Sequence, residues 1–433
     1  MASVMAAGLA LVTAVSGTPA AQADSGAITT QWYLESSGLA ALKAKGLDGR
    51  GVRIAVLDGP PMTGVPELGG AEITVRDYCK AKHSVSHRAH GTNVLSLLAS
   101  PDYGWAPKAE YTVYVMPLGT VESHPKACQR HDYDDMAWLV NKALDDGADL
   151  ISIQVGGPVG YSLGYAFARA ALQGVPVLIG AGNEHNTQLL TAGLNTTVAV
   201  GAVDRNRELA PFSNYGTGLT VMAPGTDIAI RNWDESGRTS QVVTWYGTSL
   251  AGPQVVGAMA LAMQAWPQAN GNQLIRSLIA TADTPPDGWD PRTGWGVLDA
   301  EQLIATDPSG QSTENPLLDK SPDEDPTGEH YADYRDGLTD TALLIGDNSY
   351  VYRGDDELIC ADSPRCELNT SPRFAVPASS PVSAEPGVSA SPPAATTSES
   401  AAPLPLLAVG GLAVLVAIGA LSWLFVRTRR VRT

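Results

Sequence analysis

The chain has 433 residues, 44% of them hydrophobic, with 44 glycines and 30 prolines, which suits one large globular domain with appendages rather than a disordered polymer. A formal charge of −17 argues against a nucleic-acid partner, because phosphate binding needs a basic surface. Residues 1–23 are small and apolar, and Ala21-Gln22-Ala23 has the small-x-small form of a signal-peptidase site. No Lys or Arg precedes Lys43, so the basic start of a signal peptide is missing; an internal start codon and a weak signal both fit.

Residues 24–50 form a short mixed extension with one helix expected over 39–45. Val52 to Leu57 is β-branched and aliphatic and lies between Gly51 and Gly59, which predicts a buried strand. Asp58 stands at its carboxyl end, where open α/β sheets carry their functional crevice. Before Gly59-Pro60 it reads equally well as a turn former. His90-Gly91-Thr92 is expected to open a helix over 93–99, with His83 and His87 in the preceding loop. Strands are then expected at 111–115, 149–155, 175–179, 197–203 and 219–222, with helices at 134–144 and 162–172 between them. This alternation predicts an α/β fold, a mostly parallel sheet with helices on both faces.

Gly180-Ala181-Gly182-Asn183 closes one strand in a Gly-rich turn. Residues 250–266 are apolar throughout and predict a buried helix, which puts Ser249 at or just before its N-terminus. There the unpaired N–H groups and the helix dipole favour an anion. Pro253 is expected in about the first turn, where its missing N–H matters least. Taken alone, Gly247-Thr248-Ser249 is an ordinary helix cap. A further helix is expected over 272–282.

Beyond the expected catalytic domain, 51–306, the character changes. Residues 307–368 are acidic and turn-rich, expected to fold loosely on the body as a solvated surface. They contain no calcium-loop spacing, and neither a metal nor a cofactor is expected. Residues 369–403 are a Pro/Ser/Ala-rich linker. Residues 404–426 are uncharged and long enough for a transmembrane helix, and the tail 427–433 carries Arg427, Arg429, Arg430 and Arg432. Positive flanks stay inside, so the expected protein is a single-pass protein of the cytoplasmic membrane with its body outside and its C-terminus in the cytoplasm. Four cysteines in an exported chain are most simply two disulfides: Cys360 with Cys366 in a small loop, and Cys79 with Cys128 by elimination.

Asp58, His90 and Ser249 supply, in that order, a carboxylate, a base and a nucleophile. The segments Ile54 to Asp58, His90 to Val94, Gly104 to Pro107, Ala181 to Asn183, Ala223 to Gly225 and Gly247 to Pro253 resemble the motifs of subtilisin-like serine proteases. The resemblance spans about residues 31–300 and implies a subtilisin-like three-layer fold. It further implies that Ser249 is the nucleophile, His90 the general base and Asp58 the orienting carboxylate. Asn183 and the Ser249 N–H would form the oxyanion hole, and Gln154, Val155 and Gly156 the edge strand that pairs with the substrate backbone.

The sequence departs from the family pattern in places. Gly59-Pro60-Pro61 follows Asp58 where Ser/Thr-Gly is usual, Gln154 stands where Ser is common, and the large propeptide is missing. The anchor, stalk and acidic extension look like those of the mycosins, membrane-anchored subtilases of type VII secretion, which makes a secretion complex a candidate partner. The Asp-Gly-Pro variant is similar to subtilases that trim ribosomal peptide precursors. The expected activity is a serine endopeptidase acting on protein or peptide substrates. Two other classes stay open: a catalytically quiet relative that binds peptides or scaffolds a secretion complex, and an α/β-hydrolase esterase. The esterase needs a histidine after the serine, and His330 is the sole candidate.

Overall fold

Strand β1 (Arg53–Asp58) pairs in parallel with β3 (Glu110–Val115) on one side and β4 (Leu150–Ile153) on the other, which sets Asp58 in the middle of the sheet. In the computed structural model, residues 26–117, 135–156, 161–238, 240–285, 288–322 and 324–353 are described, and all of them fall in one compact unit. The sheet adds β2 (Glu72–Arg76), β5 (Val177–Gly180), β6 (Val198–Val203) and β7 (Leu219–Pro224) in the order β2-β3-β1-β4-β5-β6-β7. Every pairing in it is parallel. Parallel strands need crossovers and bury both faces, which is why these strands read as aliphatic runs rather than alternating ones.

The helices form the two outer layers. Helices α2 (Val85–Ala99), α5 (Thr248–Ala265), α6 (Gly271–Thr281) and α7 (Ala300–Ala305) share one apolar core with Ile54, Val56, Leu150 and Val200. On the other face, α3 (Met136–Asp145) and α4 (Tyr161–Leu172) pack on Ala55, Leu57, Ile151 and Ile153. Side chains alternate along a strand, so neighbouring residues of β1 serve opposite cores. Helix α5 is apolar on every side because it runs through the middle of its layer, with Val255 to Ala262 all buried.

The sequence missed several elements. The antiparallel hairpin β8 (Ile228–Trp233) and β9 (Ser240–Trp245) carries polar residues on an outward face, and its clearest apolar positions are few. Edge strand β2 is largely exposed and therefore has no apolar run to read. Helix α1 (Leu39–Ala44) lies where a helix was expected. Strand β4 stops at Ile153, two residues before the expected end. The expected signal peptide, linker and transmembrane helix lie outside the described residues. Among those that are described, no helix is long and apolar enough to cross a membrane. Cys79 is disulfide-bonded, while Cys128, Cys360 and Cys366 lie outside the described residues.

As far as residue 353, the acidic extension is docked rather than loose. Asn195 Nδ2 donates to the carbonyl oxygens of Ser321, Glu324 and Pro326 at 3.1, 2.7 and 3.2 Å. Lys320 Nζ donates to Ala192 O, Thr197 Oγ1 and Gly218 O at 2.8, 3.0 and 3.0 Å. Helix α8 (Gly328–Asp336) lays Tyr331 and Tyr334 against Tyr165 and Ala168 of α4. Beneath it, fully buried Arg169 pairs with Asp145 at 2.7 Å and with Asp347 at 3.4 Å, and Tyr334 Oη donates to the same Asp347. Composition shows the many acids of this segment but not that one of them, Asp347, is a buried counter-ion.

Removing one partner of a buried pair leaves an uncompensated charge, which typically costs about 3–5 kcal/mol. Asp347→Ala should therefore lower unfolding free energy by roughly 3 kcal/mol, the low end because Asp145 still pairs Arg169. Urea unfolding measures it; a change within about 0.5 kcal/mol, as for a surface substitution, would show the extension to be only loosely attached.

Candidate active site

The carboxyl ends of the parallel strands and the N-terminal turns of two helices meet at one edge of the sheet. Asp58, the last residue of β1, is completely buried. Its Oδ1 accepts from the Gly59 N–H at 2.6 Å and pairs with His90 Nδ1 at 2.8 Å. A carboxylate taken out of water needs such partners, and here one is the histidine ring. The bond fixes the proton on Nδ1 and turns Nε2 away from Asp58. Among the described residues Asp58 is the sole hydrogen-bond partner of the His90 side chain.

His90 does not begin a helix as expected. Helix α2 starts at Val85, capped by Ser84, whose Oγ accepts from the His87 N–H at 3.1 Å. His90 therefore sits in the second turn, and His87 lies on the helix rather than in a loop. His83 does precede it, its Nε2 3.2 Å from Asp77 Oδ2. The extra turn explains Gly59. A Cβ there would lie 2.1 Å from His87 O and 2.6 Å from His87 Cδ2, so a Ser or Thr would collide with α2.

The two histidines titrate in opposite directions. Burial disfavours the imidazolium of both. At His90 the buried Asp58 carboxylate, through its charge and its hydrogen bond, outweighs burial and raises the pKa above the ordinary value of 6.5. At His87 burial prevails over the more distant Asp58, and the pKa falls below that value.

Ser249 is the second residue of α5, inside the first turn. Gly247, before the helix, has a φ of +154, and a side chain there would lie 3.3 Å from Ser249 Oγ and 3.8 Å from both amide-head atoms of Asn183. Ser249 and Asn183 thus flank one small space. Asn183 Oδ1 accepts from the Thr248 N–H at 2.8 Å and from Thr248 Oγ1 at 3.2 Å. With the oxygen so engaged, Nδ2 remains to donate. Helices α2 and α5 pack against each other, which brings the histidine and serine elements together. Among the described residues no hydrogen bond joins His90 to Ser249. Pro253 lies in the second turn of α5, further in than expected.

Gln154, Val155 and Gly156 are not an edge strand. Strand β4 is flanked by β1 and β5, and both ladders end at Ile153, beyond which the segment leaves the sheet. Val155 is half-buried and Gly156 exposed, so their backbone lies at the surface beside the strand ends. The Gln154 side chain is buried and turns inward.

Sequence reasoning missed three supports. Thr248 Oγ1 accepts from the Gly182 N–H at 3.1 Å, fastening the Asn183 turn to the start of α5. Glu184 Oε2 accepts from the Asn183 N–H at 3.0 Å. Asn214, fully enclosed, accepts from the Glu184 N–H at 2.9 Å and donates to Glu184 Oε2 at 2.8 Å. Thr248 was adjacent to a marked residue; Asn214 lies 30 residues from Glu184 and carried no local signal. His330 pairs with Asp325 and packs on Tyr165, on the α4 side of the sheet, opposite α5. The esterase reading therefore lacks its base.

The chain belongs to the subtilase family, whose profile matches residues 49–296. It is a subtilisin-like serine endopeptidase. Subtilisin DY of Bacillus licheniformis is 28% identical over 275 residues, 60% of this chain and 93% of that protein. The major intracellular serine protease of Bacillus subtilis (strain 168) is 33% identical over 236 residues, 50% of this chain and 70% of that one. Among solved structures, the PatG macrocyclase in complex with peptide superposes with a TM-score of 0.54 at 20% identity, covering 65% of this chain and 99% of that one. Fervidolysin from Fervidobacterium pennivorans gives 0.53 at 24%, covering 68% and 49%. These two likenesses are of fold.

The His90 resonances should titrate with a pKa above 6.5 in NMR spectra, and below it in Asp58→Asn, where burial acts without the carboxylate. An unshifted midpoint in Asp58→Asn would show that the carboxylate does not hold the imidazolium.

Proposed function

We propose that this subtilase acts as a membrane-anchored endopeptidase outside the cell, cutting exported proteins or peptides through an acyl-enzyme on Ser249. The observation that carries the catalytic reading is the 2.8 Å bond from His90 Nδ1 to the buried Asp58 carboxylate. It leaves the imidazole correctly oriented, with Nε2 as the base.

Ser249 Oγ attacks the scissile carbonyl and His90 Nε2 takes its proton, while Asp58 stabilises the imidazolium. The new oxyanion lies between the Ser249 N–H, at the positive end of α5, and Asn183 Nδ2, the two donors on either side of the Gly247 space. His90 then protonates the leaving amine, and water repeats the cycle on the ester. The backbone of residues 154–156 offers hydrogen bonds to an extended substrate as it leaves the sheet.

The location rests on the ends of the chain: an apolar start with a cleavage-type Ala21-Gln22-Ala23, and an apolar run over 404–426 followed by four arginines. The layout supports a mycosin-like role beside a secretion complex. The Asp58-Gly59-Pro60 variant favours precursor trimming instead, but the collision of a residue-59 side chain with His87 accounts for that glycine without invoking a substrate. The mycosin-like role is therefore preferred.

The full chain should cleave members of a mixed peptide library and react with a fluorophosphonate, and Ser249→Ala should do neither. Labelling without cleavage would indicate a narrow substrate range; a well-folded parent that does neither would be a peptide-binding relative. Asn183→Ala should lower kcat by about 10²–10³, as loss of one oxyanion donor does. Asp58→Asn should lower it by about 10⁴ through the wrong tautomer, and near-parent turnover would remove Asp58 from the triad.

A further inference from the structure

Between the ends of β4 and β5 and the first turns of α5 lies a slot one side chain wide, filled by Gln154. A Cβ on Gly252 would sit 2.1 Å from Gln154 Oε1. One on Gly180 would sit 3.1 Å from the same atom and 3.2 Å from Thr248 Oγ1. Gln154 is buried; its Nε2 donates to Ser152 Oγ at 3.1 Å, and its Oε1 has no hydrogen-bond partner. Residues two apart on an extended segment share a face, so Ser152 and Gln154 both look toward α5. Gly252, three residues beyond Ser249, lies on the same side of that helix.

One amide group therefore lies where three parts of the site meet. Its own backbone begins the segment beside the substrate path. Gly180 leads into the turn that carries Asn183. Thr248 and Gly252 belong to the turns that carry Ser249. The contact with Gly252 is one of shape, since Oε1 finds no donor there.

We propose that Gln154 is a positioning residue that sets the height of the Ser249 turn over the strand ends, and so the distance from the nucleophile to the Asn183 amide. The proposal rests on the reading of Ser249 as nucleophile. A displacement of about 1 Å in such a site can cost on the order of a hundredfold in rate. Gly252 is then glycine because the brace occupies the place of its side chain, and the pair is matched.

The test is an exchange in the full chain: Gly252→Ala, Gln154→Ala and the double variant, read by kcat, KM and melting temperature. On propensity alone, Gly252→Ala should stabilise an interior helical position. The expected result is the reverse in function: kcat down about tenfold or more with KM within about twofold, and most of the loss recovered in the double variant. Unchanged kcat in Gly252→Ala, or a double variant no better than the single, overturns the proposal. Should Gly252→Ala fail to fold, Gln154→Ala against Gln154→Met decides. Filling the slot with Met should give the higher kcat, and equal kcat in parent, Ala and Met variants overturns it. Fluorophosphonate labelling of the parent separates the two readings: an unreactive parent removes the nucleophile assignment, whereas a reactive parent insensitive to the exchange removes the brace alone.

Discussion

A carboxylate with no exposed surface is the constraint on which this site depends. Asp58 is buried at the carboxyl end of an interior strand of the seven-stranded sheet, and the Gly59 N–H and the His90 ring meet its Oδ1. That contact draws α2 onto the end of β1, so closely that a Cβ on Gly91 would lie 2.1 Å from Gly59 O. The same approach leaves no room for a side chain at residue 59. Packing against α2 thus accounts for the glycine at residue 59.

The second half of the site is organised by the start of α5. Gly247, Thr248 and Ser249 each do something different within three residues. The first leaves space, the second hydrogen-bonds to Gly182 and Asn183, and the third presents a hydroxyl. Asn214 and Glu184 hold the facing turn from behind. Both halves hang on strand ends of one parallel sheet, and α2 and α5 pack on each other in the core on one face of it.

Much of this was legible in the chain. Strands buried on both faces appear as continuous aliphatic runs, and β1, β3, β6 and β7 stood out for that reason. The buried helix α5 did too, because it is apolar on all sides. What escaped had a physical reason in each case. The start of α2 is polar, with Ser84, Ser86, His87 and Arg88, and only the Ser84 cap marks it. The hairpin β8–β9 half faces solvent. Asn214, Asn195 and Lys320 act on residues distant in sequence, and no local pattern announces such partners. One of the contacts that dock the extension is a buried ion pair, Arg169 with Asp347, hidden among many surface acids.

Pro253 has a consequence for the mechanics of the turn that carries Ser249. Proline has no N–H, so the carbonyl of Ser249, four residues earlier, cannot receive the ladder bond that would tie its peptide into the helix. The turn that carries the hydroxyl is stitched from outside instead, by Asn183 and Gly182 through Thr248. The remainder of α5 is one of the best-buried stretches of the chain. Ser249 therefore sits at the end of a well-buried helix on a turn held in part by the neighbouring loop, so loosening that loop would loosen the turn more than the helix behind it.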